Sequence, residues 1–266
     1  MNKLKQLLVP AYIKLYKIYT LYIAPYKYVK EKYLNSFVSK VDKAEVYLSN
    51  AKEVLYVFWT GNNELTPNRK IALQTLKDNA GVNVKLITPQ NLDEYIIKEY
   101  PLHEGFKYLS LIQKSDYLRC YFMLHHGGGY VDIKPCLDSW NKLFKKLNNS
   151  NKWCIGKREK HIGSIPNMDG NIGADCKKYH NNLISNGGYI YKPNSPIAKE
   201  WMDEIHMRLD FFKSDLQKNP GDEFGSGKYP IPWAYLAGYI MAPLILKYHD
   251  KVIPLDIDLY SSKNYR

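Results

Sequence analysis

Cysteine is scarce and unpatterned in this chain. Cys120, Cys136, Cys154 and Cys176 form no Cys-x-x-Cys pair and have no histidine at zinc-finger spacing. This excludes a disulfide scaffold and the common structural zinc sites, and the four read as reduced, mostly core thiols of a cytosolic chain. Long apolar runs are also missing. Leu7-Leu8-Val9 is cut by Pro10 and followed by Lys14 and Lys17. It is too short for a secretory leader and far short of the ~20 residues of a membrane span. The chain is therefore expected in the cytoplasm, neither secreted nor membrane-spanning. A P-loop, Gly-x-Gly-x-x-Gly, His-Glu-x-x-His, Gly-x-Ser-x-Gly and any internal repeat are absent. Acidic residues are few, 26 against 38 Lys and Arg, a net charge of +12. That surplus favours anionic partners: nucleic acid, anionic lipid or a phosphorylated small molecule.

What is present is an ordinary globular composition. Apolar residues make up 45% and charged residues 24% of 266, which suits a soluble globular chain of one ample domain or two small ones and excludes a mostly disordered, collagen-like or polytopic membrane protein. Tyrosine is abundant at 24 copies. Lys, Asn, Ile and Tyr all have A/T-rich codons, so base composition accounts for part of this.

The first forty residues carry Lys3, Lys5, Lys14, Lys17, Lys27, Lys30, Lys32 and Lys40 against Glu31 alone. On a helical wheel Leu4, Leu8, Leu15, Tyr19, Tyr22 and Tyr26 share a stripe, with Lys3, Lys14 and Lys17 on another face. Pro10 is expected to break this helix in two. Two readings stand: a basic amphipathic segment on an anionic membrane, or a helix packed on the main domain or on another copy. Residues 1–45 are read as this segment and 46–266 as the main domain.

From Val54 strands and helices alternate. Val54 to Trp59 is a continuous apolar run, as in a strand buried on both faces. Pro67 to Asn79 reads as a helix, Val82 to Ile87 as a second strand, and Leu92 to Tyr100 as a short helix. This β-α-β opening implies an α/β fold with a mostly parallel sheet flanked by helices. Ligands of such sheets bind at the carboxyl ends of the strands, which puts Trp59 and Thr60 at the expected site edge.

Residues 114–137, KSDYLRCYFMLHHGGGYVDIKPCL, are the most informative. Ser115 is read as the cap of a helix whose first turn holds Asp116, and Asp116 and Arg119 share a face. Gly127, Gly128 and Gly129 stop the helix and permit close backbone approach. Tyr130 to Ile133 is then a short strand carrying Asp132, with Tyr130 on the same face. Adjacent histidines point apart on a helix, so His125 and His126 read as structural.

SDYLRCYFMLHHGGGYVDIK resembles the Ser-Asp-x-x-Arg…Gly-Gly-x-Tyr-x-Asp-x-Asp signature of glycosyltransferases with a DXD sugar-binding region. These include yeast-type α-mannosyltransferases, bacterial capsule and lipopolysaccharide transferases, and toxin glucosyltransferase domains. Leu55 to Gly61 is similar to the family's opening, and Ser185 to Gly188 to its later Asn-containing loop, so the resemblance covers roughly residues 52–195. It implies a GT-A type fold over 46–266 and transfer of a sugar from a nucleoside diphosphate, UDP first and GDP second, usually with retention. The acceptor would be a glycan, glycolipid or protein hydroxyl, and no nucleic-acid partner is expected. By the same resemblance Trp59 stacks on the base, Asp116 and Arg119 hold sugar hydroxyls, and Asp132 is the first Asp of DXD. Gly128, Gly129, Tyr130 and Thr60 are also read as substrate-binding, and Asn186 as facing the donor or the acceptor. Read without it, Trp59 is a core residue at a strand end and Asp116–Arg119 an ordinary ion pair.

The second DXD aspartate is Lys134 here. Protonated lysine ligates no metal, whereas a departing diphosphate needs its charge neutralised. Three readings follow: Lys134 sits against the diphosphate, with Arg119 and Asp132 beside it in the catalytic set; a Mn²⁺ or Mg²⁺ ion is held by Asp132 with Asp256 or Asp258 from a later Asp-x-Asp; or activity is lost and a binding module remains. Farther on, Gly187 to Tyr191 looks like a strand with Asn186 before it. Pro196 to Phe212 and Trp233 to Tyr248 read as packed helices, Gly163 to Gly173 as an acceptor-side loop, and Asn219 to Gly227 as a mobile or connecting loop.

Overall fold

The structure, a computed structural model, describes residues 3–40, 48–225 and 227–263. The expected boundary between residues 45 and 46 lies outside the described residues, as does Ser226 of the glycine-rich loop. Six strands form one sheet: β1 (Val54–Phe58), β2 (Asn83–Ile87), β3 (Gly128–Val131), β4 (Cys154–Arg158), β5 (Ile184–Tyr191) and β6 (Val252–Leu255). Their order is β2-β1-β3-β5-β4-β6. β1 pairs in parallel with β2 and β3, and β4 with β6, whereas β5 runs against both of its neighbours. The flanking helices are α1 (Lys3–Ile18), α2 (Pro67–Asn79), α3 (Leu111–His125), α4 (Asn141–Asn148), α5 (Gly170–Lys178), α6 (Pro196–Lys218) and α7 (Gly238–Lys247). The chain is thus α/β with a mostly parallel sheet flanked by helices.

Alternation along the strands divides the core. Tyr56, Phe58, Tyr130, Tyr189 and Tyr191 point to one side, where they meet α3, α6 and α7. Leu55, Val57, Val131, Ile155 and Ile190 point to the other, against α2 and α4. Period-two alternation produces this split between an aromatic and an aliphatic face. The tyrosine richness therefore has a structural use in addition to any codon bias. The four cysteines are unpaired and buried.

Local signals explain most element ends. Thr66 accepts from the Arg69 amide and Pro67 opens α2. Ser110, not Ser115, caps α3, accepting from the Gln113 amide at 3.3 Å. Ser115 and Asp116 therefore sit in the second turn. Gly127 at φ 63° and Gly128 at φ 98° turn the chain out of α3 into β3. Other expected elements differ in extent. Leu92–Tyr95 is a single 3-10 turn, and α7 starts at Gly238 because Ala234 adopts φ 59°. Asn186 lies inside β5.

The N-terminal segment is integrated into the fold. α1 runs through Pro10 unbroken, and the irregularity falls later, in a wide π turn at Tyr19–Ile23. Tyr26, Tyr33 and Val38 are buried in the same cluster as α3 and α6. Lys17 pairs with Asp256 at 2.7 Å and Tyr16 donates to the Lys178 carbonyl at 2.8 Å. Among the described residues no helix is long and apolar enough to cross a membrane.

Candidate functional site

The carboxyl end of β3 opens into a cavity of about 400 Å³. Asp116 and Arg119 reach it from α3, Asp132 and Lys134 from the end of β3, and Ser185, Asn186 and Gly187 from β5. Lys157 and Arg158 end β4 and continue into Glu159, Lys160 and His161, which form a second wall. Trp233 and Tyr260 complete the rim.

Arg119 organises the floor. Its guanidinium lies 3.4 Å from Asp116 Oδ1 and 3.8 Å from Asp132 Oδ1, and donates to the Asn186 carbonyl at 3.4 Å. It also stands 4.5 Å above the Tyr130 ring, a cation–π contact that fixes its plane. Its Nε is buried without a hydrogen-bond partner among the described residues. Burial works against this charge, but Tyr130, Asp116 and Asp132 outweigh it and keep the guanidinium protonated.

The two carboxylates are driven apart. Burial pushes the Asp116 carboxyl up, and Arg119 offsets only part of the rise. Burial would also raise Asp132, but Arg119, Lys134 and the Tyr130 hydroxyl outweigh it and hold Asp132 below the usual carboxylate range. Asp132 is therefore firmly anionic, whereas Asp116 is the more basic carboxylate. The Tyr130 hydroxyl donates to Asp132 Oδ1, and Lys134 Nζ donates to Oδ2 at 2.7 Å. The Lys134 ammonium also lies 5.1 Å from the Tyr260 ring.

The carboxylates that the sequence offers for a divalent cation are each engaged by other groups here. Both Asp132 oxygens are engaged by donors, one of them by an ammonium. Asp256 pairs with Lys17 and Arg158, and Asp258 with Lys157 and Lys160. Among the described residues no three His, Cys, Asp or Glu side chains come together as ligands. Basic groups outnumber acids around the cavity: Arg119, Lys134, Lys157, Arg158 and Lys160 against Asp116, Asp132 and Glu159. A concave site with that balance draws anions.

Several residues singled out in the sequence stand elsewhere. Trp59 does not line the cavity; its half-buried indole donates to the Asn63 carbonyl at 2.6 Å and packs on the aliphatic side of the sheet. Thr60 donates to the Leu111 carbonyl at 2.6 Å, tying that turn to the start of α3. Gly128 and Gly129 are buried in β3, Gly128 against the Val54 carbonyl and Gly129 against Leu55 and Ile190. Tyr130 lies beneath Arg119 and contacts both Arg119 and Asp132. His125 stacks on Tyr100 and His126 bonds the Tyr95 carbonyl.

Sequence reasoning missed Tyr260 and the basic wall. Tyr260 packs over Gly187 and Gly188, where any side chain would collide with its ring. The run Lys157-Arg158-Glu159-Lys160-His161 directly follows an apolar strand and was a legible signal for the wall.

A family model described as capsular polysaccharide synthesis protein matches residues 21–169, more than half of the chain. The chain belongs to this family. The matched segment includes Asp116, Arg119, Asp132 and Lys134, and its start at residue 21 agrees with the burial of Tyr26 and Tyr33. Among solved structures, the PaToxG glycosyltransferase aligns with a TM-score of 0.39 at 16% identity, over 65% of this chain and 67% of that one. No curated protein matches.

Proposed function

We propose that the chain is a glycosyltransferase of glycan synthesis, moving a sugar from a nucleoside diphosphate to an acceptor hydroxyl. The observation that carries this reading is Arg119 held between Asp116 and Asp132, with Lys134 beside them, in one cavity at a strand's carboxyl end. Family membership and the Ser-Asp-x-x-Arg and Gly-Gly-x-Tyr-x-Asp resemblance support it. Asp116 and Arg119 would hold sugar hydroxyls: a carboxylate accepts from them, and a guanidinium bridges hydroxyl and phosphate oxygens. Lys134, with Lys157 and Lys160 on the facing wall, would neutralise the diphosphate. In the step itself the bond from the anomeric carbon to the diphosphate oxygen breaks. The acceptor oxygen forms the new bond and its proton passes to the departing phosphate. Attack on the face the phosphate leaves gives retention and requires no separate base. Asn186 would face the donor. Base stacking on Trp59 would require the base to extend past the cavity, over the turn at 59–63.

The direct test is thermal stability of the full chain with UDP- and GDP-sugars. A ligand bound only by the folded state raises the melting temperature. A rise with one nucleotide sugar, followed by its hydrolysis or transfer, is expected. A rise without turnover would leave a binding module, and no rise with any donor would end the reading.

We also propose that α1 meets an anionic membrane surface. Val9, Tyr12, Ile13, Leu15, Ile18, Tyr19, Tyr22 and Ile23 are exposed, Tyr22 by 77%. Lys14, Lys27 and Lys30 are exposed near them. Amphipathic helices rich in lysine and interfacial aromatics bind anionic lipid, whereas like charges disfavour pairing of two copies. The full chain is expected to float with phosphatidylglycerol vesicles and not with phosphatidylcholine vesicles. The double variant Ile13→Glu, Leu15→Glu, altered only at exposed positions, should stay at the bottom. Equal flotation of variant and parent, or none of the parent, would refute this.

A further inference from the structure

A second cavity lies behind the segment 233–239. Trp233, Ala234 and Ala237 line the first cavity, whereas Tyr235 and Tyr239 line the second, so one stretch of chain walls both. Ser164 and Asn167 divide in the same way. The two cavities share no lining residue. The second is the larger, about 1200 Å³, above the roughly 300–1,000 Å³ of ordinary small-molecule pockets.

Its chemistry differs from that of the first. Arg208 Nε donates to Glu204 Oε1 at 2.9 Å, one helical turn away on α6. The guanidinium lies 4.0 Å from the Tyr235 ring centre and 5.6 Å from that of Phe37, so aromatic faces hold it in place. Glu204 is 8% exposed, and its Oε2 is buried with no hydrogen-bond partner among the described residues. A buried carboxylate oxygen without a donor is uncommon in a native fold, and a small rotation of the Glu204 side chain would bring it to a ligand hydroxyl at the cavity wall. Acid and base are balanced around the opening, Glu31, Asp169 and Glu204 against Lys32, Lys40 and Arg208. The cavity therefore lacks the cationic excess that suits the first to a diphosphate.

We propose that this second cavity binds the acceptor, a saccharide of several residues whose terminal hydroxyl reaches the first cavity past the 233–239 wall. The inference rests on the glycosyltransferase reading above. A sugar ring presents an apolar C–H face and an edge of hydroxyls. Tyr235, Tyr239 and Phe37 provide flat apolar surface, and Glu204, Arg208 and Asn167 provide acceptors and donors at its margin.

The test is binding of the full chain to an array of oligosaccharides from bacterial capsules and lipopolysaccharides. Tyr239→Ala and Glu204→Gln are each expected to weaken the captured glycan by about tenfold or more. Neither should alter the melting-temperature rise given by the nucleotide sugar, and the unliganded melting temperature of each variant reports its folding. Capture of no glycan, capture indifferent to both substitutions, or displacement of the glycan by the nucleotide sugar would overturn the proposal. Absence of a nucleotide-sugar response, with variant-sensitive glycan binding intact, would instead strike the donor reading alone.

Discussion

Replacing Asp132 with Asn is expected to lower donor hydrolysis and transfer by about 10²-fold or more. The substitution keeps shape and removes one charge at the point where three donors converge. Tyr130, Lys134 and Arg119 all address the Asp132 carboxylate. An amide accepts fewer of those contacts, and its NH₂ would face the Lys134 ammonium or the Tyr130 hydroxyl. The two cations then lose the anion that orients them, and the donor meets a misaligned pocket. The measurement is turnover with the nucleotide sugar that gives the largest thermal shift, with the melting temperature checked in parallel. Near-normal turnover of a folded Asp132→Asn protein would sink the site assignment.

The second large effect concerns Lys134. If its ammonium takes the place of a metal at the diphosphate, Lys134→Met should cost roughly 10²–10³-fold in turnover, the scale of removing one preorganised electrostatic group. The unaltered protein should then work equally well in excess chelator. Lys134→Asp should be weak alone and gain activity with Mn²⁺, because it restores a second carboxylate near Asp132. Activity of the unaltered chain that vanishes with chelator and returns with Mn²⁺ would refute the replacement. The geometry already bears on the alternative pairing of Asp132 with Asp256 or Asp258. Those two acids are occupied by Lys17, Arg158, Lys157 and Lys160, which spends their charge on the basic wall.

Much of this was legible in the residues because the signals are local. The apolar run of β1, the Thr66–Pro67 start of α2 and the alternation of Tyr130 with Asp132 are each set within a few positions. The start of α3 was misplaced because Ser110 and Ser115 are equally good caps by residue type. Contacts distant in sequence distinguish them: Gly221 packs against Ser110, the Leu111 amide bonds the Asp222 carbonyl, and Thr60 bonds the Leu111 carbonyl. Asn186 was read as preceding its strand, yet β5 begins two residues earlier at Ile184, its register with β4 shifting between Gly156 and Arg158 while Gly188 pairs with Val131. The indole of Trp59 is turned by a bond to Asn63 that no periodicity encodes. Tyr260 was out of reach for a different reason. It touches Ser185 across 75 positions, and single-sequence patterns carry nothing about contacts of that separation. The triple glycine serves the turn and the sheet, with Asp116 and Arg119 before it and Asp132 and Lys134 after it at the cavity.

The contact of Lys17 with Asp256 has a geometric consequence. Asp256 also accepts from Arg158, which lines the cavity and is fixed by further bonds to the Asn181 and Pro254 carbonyls. The axis of the N-terminal helix and the orientation of the cavity mouth are therefore set together. With that helix lying in a plane, the opening would stand at one height and one tilt above it. For an acceptor tethered in the same plane, the length of its tether, more than its bulk abundance, would then govern how often the two meet.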